Sequence, residues 1–337
     1  MRAIICGSVA FDTIMNFDGQ FRDHILPDRL HMLNVAFLVP ELRREYGGCA
    51  GNIAYSMRLL GDLGVPVATV GTDAEGYLQW MCAHGIPTDS IKVIGGTYTA
   101  QAFITTDKAN NQITAFHPGA MNSAHLNTVM HKPDIALGVI APDGREGMLR
   151  HAEELARAGI PFLFDPGQGL PMFNGEELKT FIRQASWVAV NDYEWHLLAD
   201  RTGLSEGEVA SQVLALIVTR GAEGSTIYAG DEQYLIPPAK AHRVVDPTGC
   251  GDAYRAGLLH GLLNQLDWPS TGRIASLMGA LKIEVRGTQN HRFTFSDFYS
   301  RYRQNFNQRP ALAGADGWRW GSSTLSSPTA KITSRGS

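Results

Sequence analysis

Val244-Val245-Asp246-Pro247-Thr248-Gly249-Cys250-Gly251-Asp252 runs directly into an apolar-periodic stretch over residues 253–266. The pattern predicts a strand that ends, a tight glycine turn and a helix that begins, with an acid in its first turn. A helix start leaves backbone N–H groups unpaired and carries a partial positive charge, and a Gly-Cys-Gly turn lets an anion come close to those donors. The segment is therefore expected to hold a phosphate. A carboxylate repels a phosphate unless it has a task there, and the task that fits Asp252 is to take a proton from a hydroxyl attacking that phosphate. Taken alone, the turn leaves a second reading open, in which Asp252 complements the helix dipole and the glycines only make a turn. No G-x-x-x-x-G-K-[ST] occurs in the chain, and Tyr254 stands where a dinucleotide fingerprint wants glycine, so neither a P-loop enzyme nor an ordinary NAD enzyme is supported.

The 337 residues, 44% of them hydrophobic, can bury one large core. A formal charge of −4 with scattered Lys and Arg gives no basic field for nucleic acid or an anionic membrane, which leaves small molecules as the expected partners. No stretch approaches the roughly 18 to 20 apolar residues of a membrane span, and the first residues enter an apolar strand without a signal-peptide layout. Cys6, Cys49, Cys82 and Cys250 stand singly, without metal-ligand spacing, which fits a reducing compartment and argues against structural zinc. The expected location is the cytoplasm. Cys250 is read as a small packing residue of the turn rather than a nucleophile.

Outward from the turn, strands are expected over residues 3–9, 65–70, 135–140, 161–164, 187–190 and 216–219. Helices are expected over 52–60 and 147–158, the latter closed by Gly159. Apolar strands alternating with helices imply a parallel sheet covered on both faces. Ligands of such sheets sit at the carboxyl ends of the strands, which places Asp165, Asn191, Thr219 and the 246–252 turn along one crevice. Two stretches break the rhythm. Residues from about 13 to 46 lack a helical period, and residues 98–106 and 112–116 read as a hairpin around a turn at 107–111. Together they are expected to form a small accessory sheet over the open end of the crevice, excluding the water that competes with an acceptor alcohol. An ordinary hairpin packed on the surface is the alternative. Residues 311–337, rich in Gly, Ser and Thr, read as a disordered tail.

With these residues in hand, the chain resembles the ribokinase-like (PfkB) kinases. Asp246-Pro247-Thr248-Gly249-Cys250-Gly251-Asp252 is similar to the family's C-terminal signature D-T-x-G-A-G-D, with Pro247 and Cys250 in place of Thr and Ala. Gly47-Gly48-Cys49-Ala50-Gly51-Asn52 resembles its N-terminal glycine-rich signature, Gly7-Ser8-Val9-Ala10-Phe11-Asp12 its opening strand, and Asn191-Asp192-Tyr193-Glu194 its N-x-x-E. The resemblance covers residues 1–305 and implies a three-layer α/β sandwich with a central, mostly parallel sheet and a small antiparallel flap. One kinase domain over 1–310 is implied, with lid segments at about 13–46 and 97–118.

The resemblance also implies roles. Asp252 is the base, and the amides of Gly249, Cys250 and Gly251 are the anion hole. Asp12, Gly48 and Asn52 grip the acceptor, with Gln101, Phe103, Phe116, Asp165 and Asp246 beside it. Asn191, Thr219, Gly221, Gly224, Gly249, Gly251 and Asn290 face ATP, and Asn191 with Glu194 holds Mg²⁺ through water. Asp246 is also the expected support of a monovalent cation such as K⁺. From the residues alone, an Asn followed three places later by Glu is equally a helix cap. The flap hairpin offers Lys108 as its one basic residue, which disfavours a phosphorylated acceptor. Tyr98, Phe103, Phe116 and Phe37 supply aromatic surface for stacking on a base, about 1 to 3 kcal/mol per contact, or else for packing the flap or a dimer contact. The stretches 33–40, 110–121 and 165–169 are similar to bacterial nucleoside kinases of the adenosine-kinase type. The expected activity is therefore ATP- and Mg²⁺-dependent phosphorylation of a nucleoside 5′-hydroxyl, by a monomer or a homodimer joined through the lid. A free-sugar kinase and a non-catalytic ligand-binding regulator are the alternatives.

Overall fold

The computed structural model describes residues 2–25, 35–109, 111–130 and 134–309. In chain order its strands are β1 (Arg2–Cys6), β2 (Ala10–Asn16), β3 (Glu41–Gly47), β4 (Leu63–Val70), β5 (Ile91–Val93), β6 (Ala100–Thr106), β7 (Gln112–His117), β8 (Ile135–Ile140), β9 (Phe162–Phe164), β10 (Trp187–Asn191), β11 (Ala215–Thr219), β12 (Ser225–Ala229) and β13 (Glu232–Ile236). The helices are α1 (Cys49–Leu59), α2 (Glu75–Ala83), α3 (Arg145–Arg157), α4 (Gly175–Gln184), α5 (Asp192–Thr202), α6 (Glu206–Ala210), α7 (Cys250–Leu263), α8 (Trp268–Ile283) and α9 (Phe295–Phe306).

Nine strands make the large sheet, in the order β13-β12-β11-β10-β9-β8-β1-β4-β5. Every pairing from β11 to β5 is parallel, and only the β11–β12 and β12–β13 pairings at one edge are antiparallel. The strands read as unbroken apolar runs because the two-residue repeat shares each strand between two cores. Ala3 and Ile5 of β1 face a core with Ile53 of α1, Tyr77 of α2 and Leu258 of α7. Ile4 and Cys6 face the opposite core with Leu155 of α3, Phe181 of α4 and Leu198 of α5. A third cluster packs α9 and α8 against the outside of α7, through Phe298, Tyr302, Ile274 and Ala253. Among the described residues no helix is long and apolar enough to cross a membrane.

The two irregular stretches pair into one four-stranded sheet, β3-β2-β6-β7. Its outer pairings, β2 with β3 and β6 with β7, are antiparallel, while the central β2–β6 pairing is parallel. The strand expected over 3–9 stops at Cys6, and Gly7-Ser8-Val9 turns the chain into β2, so one continuous stretch feeds both sheets. Val244-Val245 is not a strand. Its valines are 77% and 38% exposed, and Val245 N–H donates to the Ile283 carbonyl at the end of α8 rather than to a neighbouring strand. The tail at 311–337 lies outside the described residues.

Helices α7 and α8 cross closely enough that Gly257 lies on the Ala275 backbone and Gly261 on Thr271. A Gly→Ala change inside a helix ordinarily gains about 1 kcal/mol. At Gly257 the added methyl meets backbone that a rotamer change does not move, so Gly257→Ala is expected to cost about 1 to 3 kcal/mol instead. The midpoint of chemical denaturation reads the sign directly, and a stabilised variant would contradict this packing.

Candidate active site

The first turn of α7 is set by two residues at its threshold. Gly249 is the N-cap with φ 77°, a left-handed conformation that suits glycine, and it lies against Thr288. Asp246 accepts the Thr248 N–H at 3.0 Å on one oxygen and the Gly287 N–H at 2.9 Å on the other, joining the 246–252 turn to the 285–290 loop. Both of its oxygens are committed to this brace, and the hydrogen bonds outweigh burial to hold the carboxyl below its usual range. The Cys250 N–H donates to the Pro247 carbonyl at 3.1 Å, so this member of the expected amide trio closes the turn. The N–H groups of Gly249, Gly251 and Asp252 find no acceptor among the described residues, as befits a helix start awaiting an anion.

Asp252, half-buried, accepts a 2.7 Å hydrogen bond from Asn52 Nδ2 of α1. Asn52 is itself held from behind. Gln289 Nε2 donates to its Oδ1 at 2.8 Å and to the Tyr77 hydroxyl at 2.6 Å, and Tyr77 donates to the Gly47 carbonyl at 2.8 Å. Burial pushes the Asp252 carboxyl up to about 7, with the Asn52 hydrogen bond pulling down, Asp165 pushing up and Arg255 pulling down. A carboxylate with that affinity for protons at the mouth of an amide-lined turn is equipped to accept one from an alcohol near neutral pH.

One helical turn on, Arg255 is 4% exposed and reaches back to the strand ends. Its Nη2 donates to Asp165 Oδ1 at 2.9 Å and to the Ala189 carbonyl at 3.3 Å, and lies 3.9 Å from Glu194 Oε2. Asn191 and Glu194 form a reciprocal capping box on α5. Asn191 N–H donates to Glu194 Oε2, Asn191 Nδ2 to Glu194 Oε1, and Glu194 N–H to Asn191 Oδ1, each at 2.8 Å. The helix-cap reading of this motif is therefore realised in full. Burial raises the Glu194 carboxyl, with Asp165 adding to the rise and Arg255 opposing it. Among the described residues no group of three or more His, Cys, Asp or Glu is placed to hold a metal. With both Glu194 oxygens occupied by the cap, this donor set fits a hydrated Mg²⁺ met through water, not a direct protein cage.

On the acceptor side, Gly48 (φ 84°) caps α1 hard against Ser8 and Ala10, a contact that leaves no space for a Cβ. Asp12 of β2 makes no hydrogen bond to the described side chains. Burial, then Glu45 and Asp246, push its carboxyl up to about 6. The flap register separates residues that the sequence placed together. Asp12 pairs with Ala102, which pairs with Phe116, while Thr13 pairs with Phe103. Phe116 thus shares the Asp12 face, and Phe103 points to the opposite face, where Gln101 Nε2 bonds Thr13 Oγ1. The two phenylalanines, 54% and 40% exposed, cannot stack on one ligand. Phe37 packs with Phe17 and Phe21, at 4.8 and 5.0 Å between ring centroids, and belongs to the flap's own packing. The flap's edge strand β3 also adds Arg43 and Arg44, paired with Glu45 and Asp73.

On the nucleotide side, Thr219 ends β11 and leads into a turn with Gly221 (φ 54°) and Gly224 (φ 89°), the latter tight against the Ile236 carbonyl. This turn stands apart from the hydrogen-bond network around Asp252. Asn290 donates to Glu45 Oε2 at 3.1 Å and to the Arg286 carbonyl at 3.0 Å, tying its loop to the flap strand. Sequence reasoning passed over Arg255, Tyr77 and Lys282, and read Gln289 only within a 287–290 stretch flanking the adenine, whereas it holds Asn52 and Tyr77. A lone arginine within the apolar face of a helix was the available signal for Arg255, while the others are visible only once distant segments meet.

Over most of its length the chain is similar to proteins named as nucleoside kinases. The nucleoside kinase of Burkholderia thailandensis, solved in complex with inosine, is 52% identical, with a TM-score of 0.83 over 91% of this chain and 99% of that one. Its complex with ADP-inosine aligns over 94% of this chain and 100% of the other, with a TM-score of 0.82. The nucleoside kinase of Methanocaldococcus jannaschii is 31% identical over 90% of this chain and 98% of its own length. The fold is ribokinase-like. The family model for pfkB carbohydrate kinases matches residues 10–293, and the chain, a kinase, belongs to that family.

Proposed function

We propose that this chain transfers the γ-phosphoryl of ATP to the 5′-hydroxyl of a nucleoside of the adenosine or inosine kind. The observation that carries the reading is Asp252, hydrogen-bonded to Asn52 at 2.7 Å beside the helix-start amides of Gly249 and Gly251, which have no acceptor among the described residues. The choice of a nucleoside rests on the 52% identical relative and its inosine complex.

Asp252 accepts the proton of the 5′-hydroxyl as its oxygen bonds to the γ-phosphorus, and the bond to the bridging oxygen breaks to release ADP. The amides of Gly249 and Gly251 hold the charge gathering on the transferred group, where positioning and electrostatics supply most of the acceleration. Asp12, Gly48 and Asn52 orient the acceptor, and Phe116 lies on the flap face that meets it. Magnesium neutralises the phosphates when bound, and Asn191 and Glu194 would hold its water shell. Residues 1–310 act as one catalytic unit, with 13–46 and 97–118 as its lid. The four free thiols fit a reducing cytoplasm.

A panel of nucleosides and free sugars with labelled ATP and Mg²⁺ is expected to show transfer to adenosine or inosine, and transfer to sugars alone would reject the nucleoside reading. Asp252→Asn should keep nucleoside binding and lower kcat by about 10² to 10⁴-fold. The same change should stabilise the fold. The Asp252 carboxyl sits at about 7 when folded, against an ordinary value of 3.8, so its ionisation opposes folding increasingly as pH rises through that interval. The melting temperature of Asp252→Asn is thus expected to exceed that of the wild type by more at pH 8 than at pH 5.

The wild-type kcat/KM should rise with pH through about 7 as Asp252 ionises. Asn52 stabilises the ionised form, so Asn52→Ala should move that limb upward by about one pH unit. A limb that stays in place or moves down would show that Asn52 does not tune the base.

A further inference from the structure

Lys282, in the last turn of α8, is 0% exposed. Its Nζ donates to the main-chain carbonyl of Asp246 at 2.7 Å and to that of Val285 at 3.3 Å, and lies 4.0 Å from Asp246 Oδ1. Every neighbour named is an acceptor, which suits an ammonium with three donors and no lone pair. The carbonyls belong to the two segments that Asp246 ties together, the 246–252 turn and the 285–290 loop. Oxygens of main-chain carbonyls, with a carboxylate nearby, are also the ligand chemistry of an alkali-metal ion.

We propose that the Lys282 ammonium is a built-in cation of the phosphoryl-transfer site, occupying a carbonyl-lined pocket in place of a free monovalent ion. It holds the turn that presents the Gly249 and Gly251 amides and adds fixed positive charge behind them, and turnover needs no added K⁺. The inference rests on the kinase reading and makes Lys282 a positioning residue, since it touches neither reactant. Burial lowers its pKa, and the charges of Asp246, Cys250 and Asp252 work against that fall. The pocket departs from the monovalent-cation site that the sequence suggested around Asp246, because a side chain of the protein already stands there.

The test compares wild type, Lys282→Ala and Lys282→Met, as full chains, in buffers containing only tetramethylammonium chloride or equal concentrations of KCl or NH₄Cl. Wild-type kcat and melting temperature are expected to be the same in all three salts. Lys282→Ala should lose about ten-fold or more in kcat, with a much smaller change in the nucleoside KM. It should also melt lower, and K⁺ or NH₄⁺ should restore both quantities while the bulky tetramethylammonium does not. Lys282→Met fills the stem's volume without the charge and is expected to remain slow in every salt. The proposal is overturned if K⁺ activates or stabilises the wild type several-fold over tetramethylammonium, if Lys282→Met turns over like the wild type, or if Lys282→Ala responds equally to all three salts. The melting temperatures decide it without catalysis, so wild type that transfers to no acceptor would condemn the kinase reading separately.

Discussion

Everything chemical in this molecule depends on where α7 begins. The helix must present partnerless amides and a carboxylate at the carboxyl edge of the sheet, yet its interior must pack so closely on α8 that Gly257 and Gly261 carry no side chain. Those demands meet in the turn at 246–249, which is tied down by a set of hydrogen bonds. Asp246 binds the amides of Thr248 and Gly287, the end of α8 accepts the N–H groups of Val245 and Asp246, and Lys282 lies under the carbonyls. A loop that must hold an anion without moving is better fixed by directional hydrogen bonds than by apolar packing, which resists sliding poorly.

The carboxylates of the site share out their roles through their surroundings. Asp246 is saturated with N–H donors and held low, whereas Asp252 has one amide donor and substantial burial and is held near 7. Asp165 is neutralised by Arg255 at 2.9 Å, a buried pair that costs desolvation but leaves its charge unavailable to repel a phosphate fully. Arg255 thus offsets the charge of three buried or half-buried acids, Asp165, Glu194 and Asp252.

The fold was largely legible because its strongest signals are local. The strands at 65–70, 135–140 and 216–219 were visible as apolar runs of strand length, and the helix after Gly251 as a capped periodic segment. Val244-Val245 misled because β-branched residues read as a strand whether or not a partner strand exists, and here the segment leans on a helix end. Phe103 and Phe116 misled for a different reason. Both lie in the hairpin, but which face each takes is fixed by the register of β6 against β7, and that register is not written in either strand alone. Asn191 and Glu194 show a third limit, since one spacing serves a capping box and a water-bridged metal contact equally, and no residue count separates the two.

The hydrogen bond between Asn52 and Asp252 spans 200 positions of the chain. A ribosome must therefore synthesise most of the polypeptide before this pair can meet, and until α7 docks, the sheet face carrying Ala3, Ile5 and Val139 has lost one of its covers. Such an intermediate is sticky, with loop closure over a long contour still to be completed. The topology thus makes the chain dependent on reaching its last helices before a neighbouring nascent chain finds the uncovered sheet.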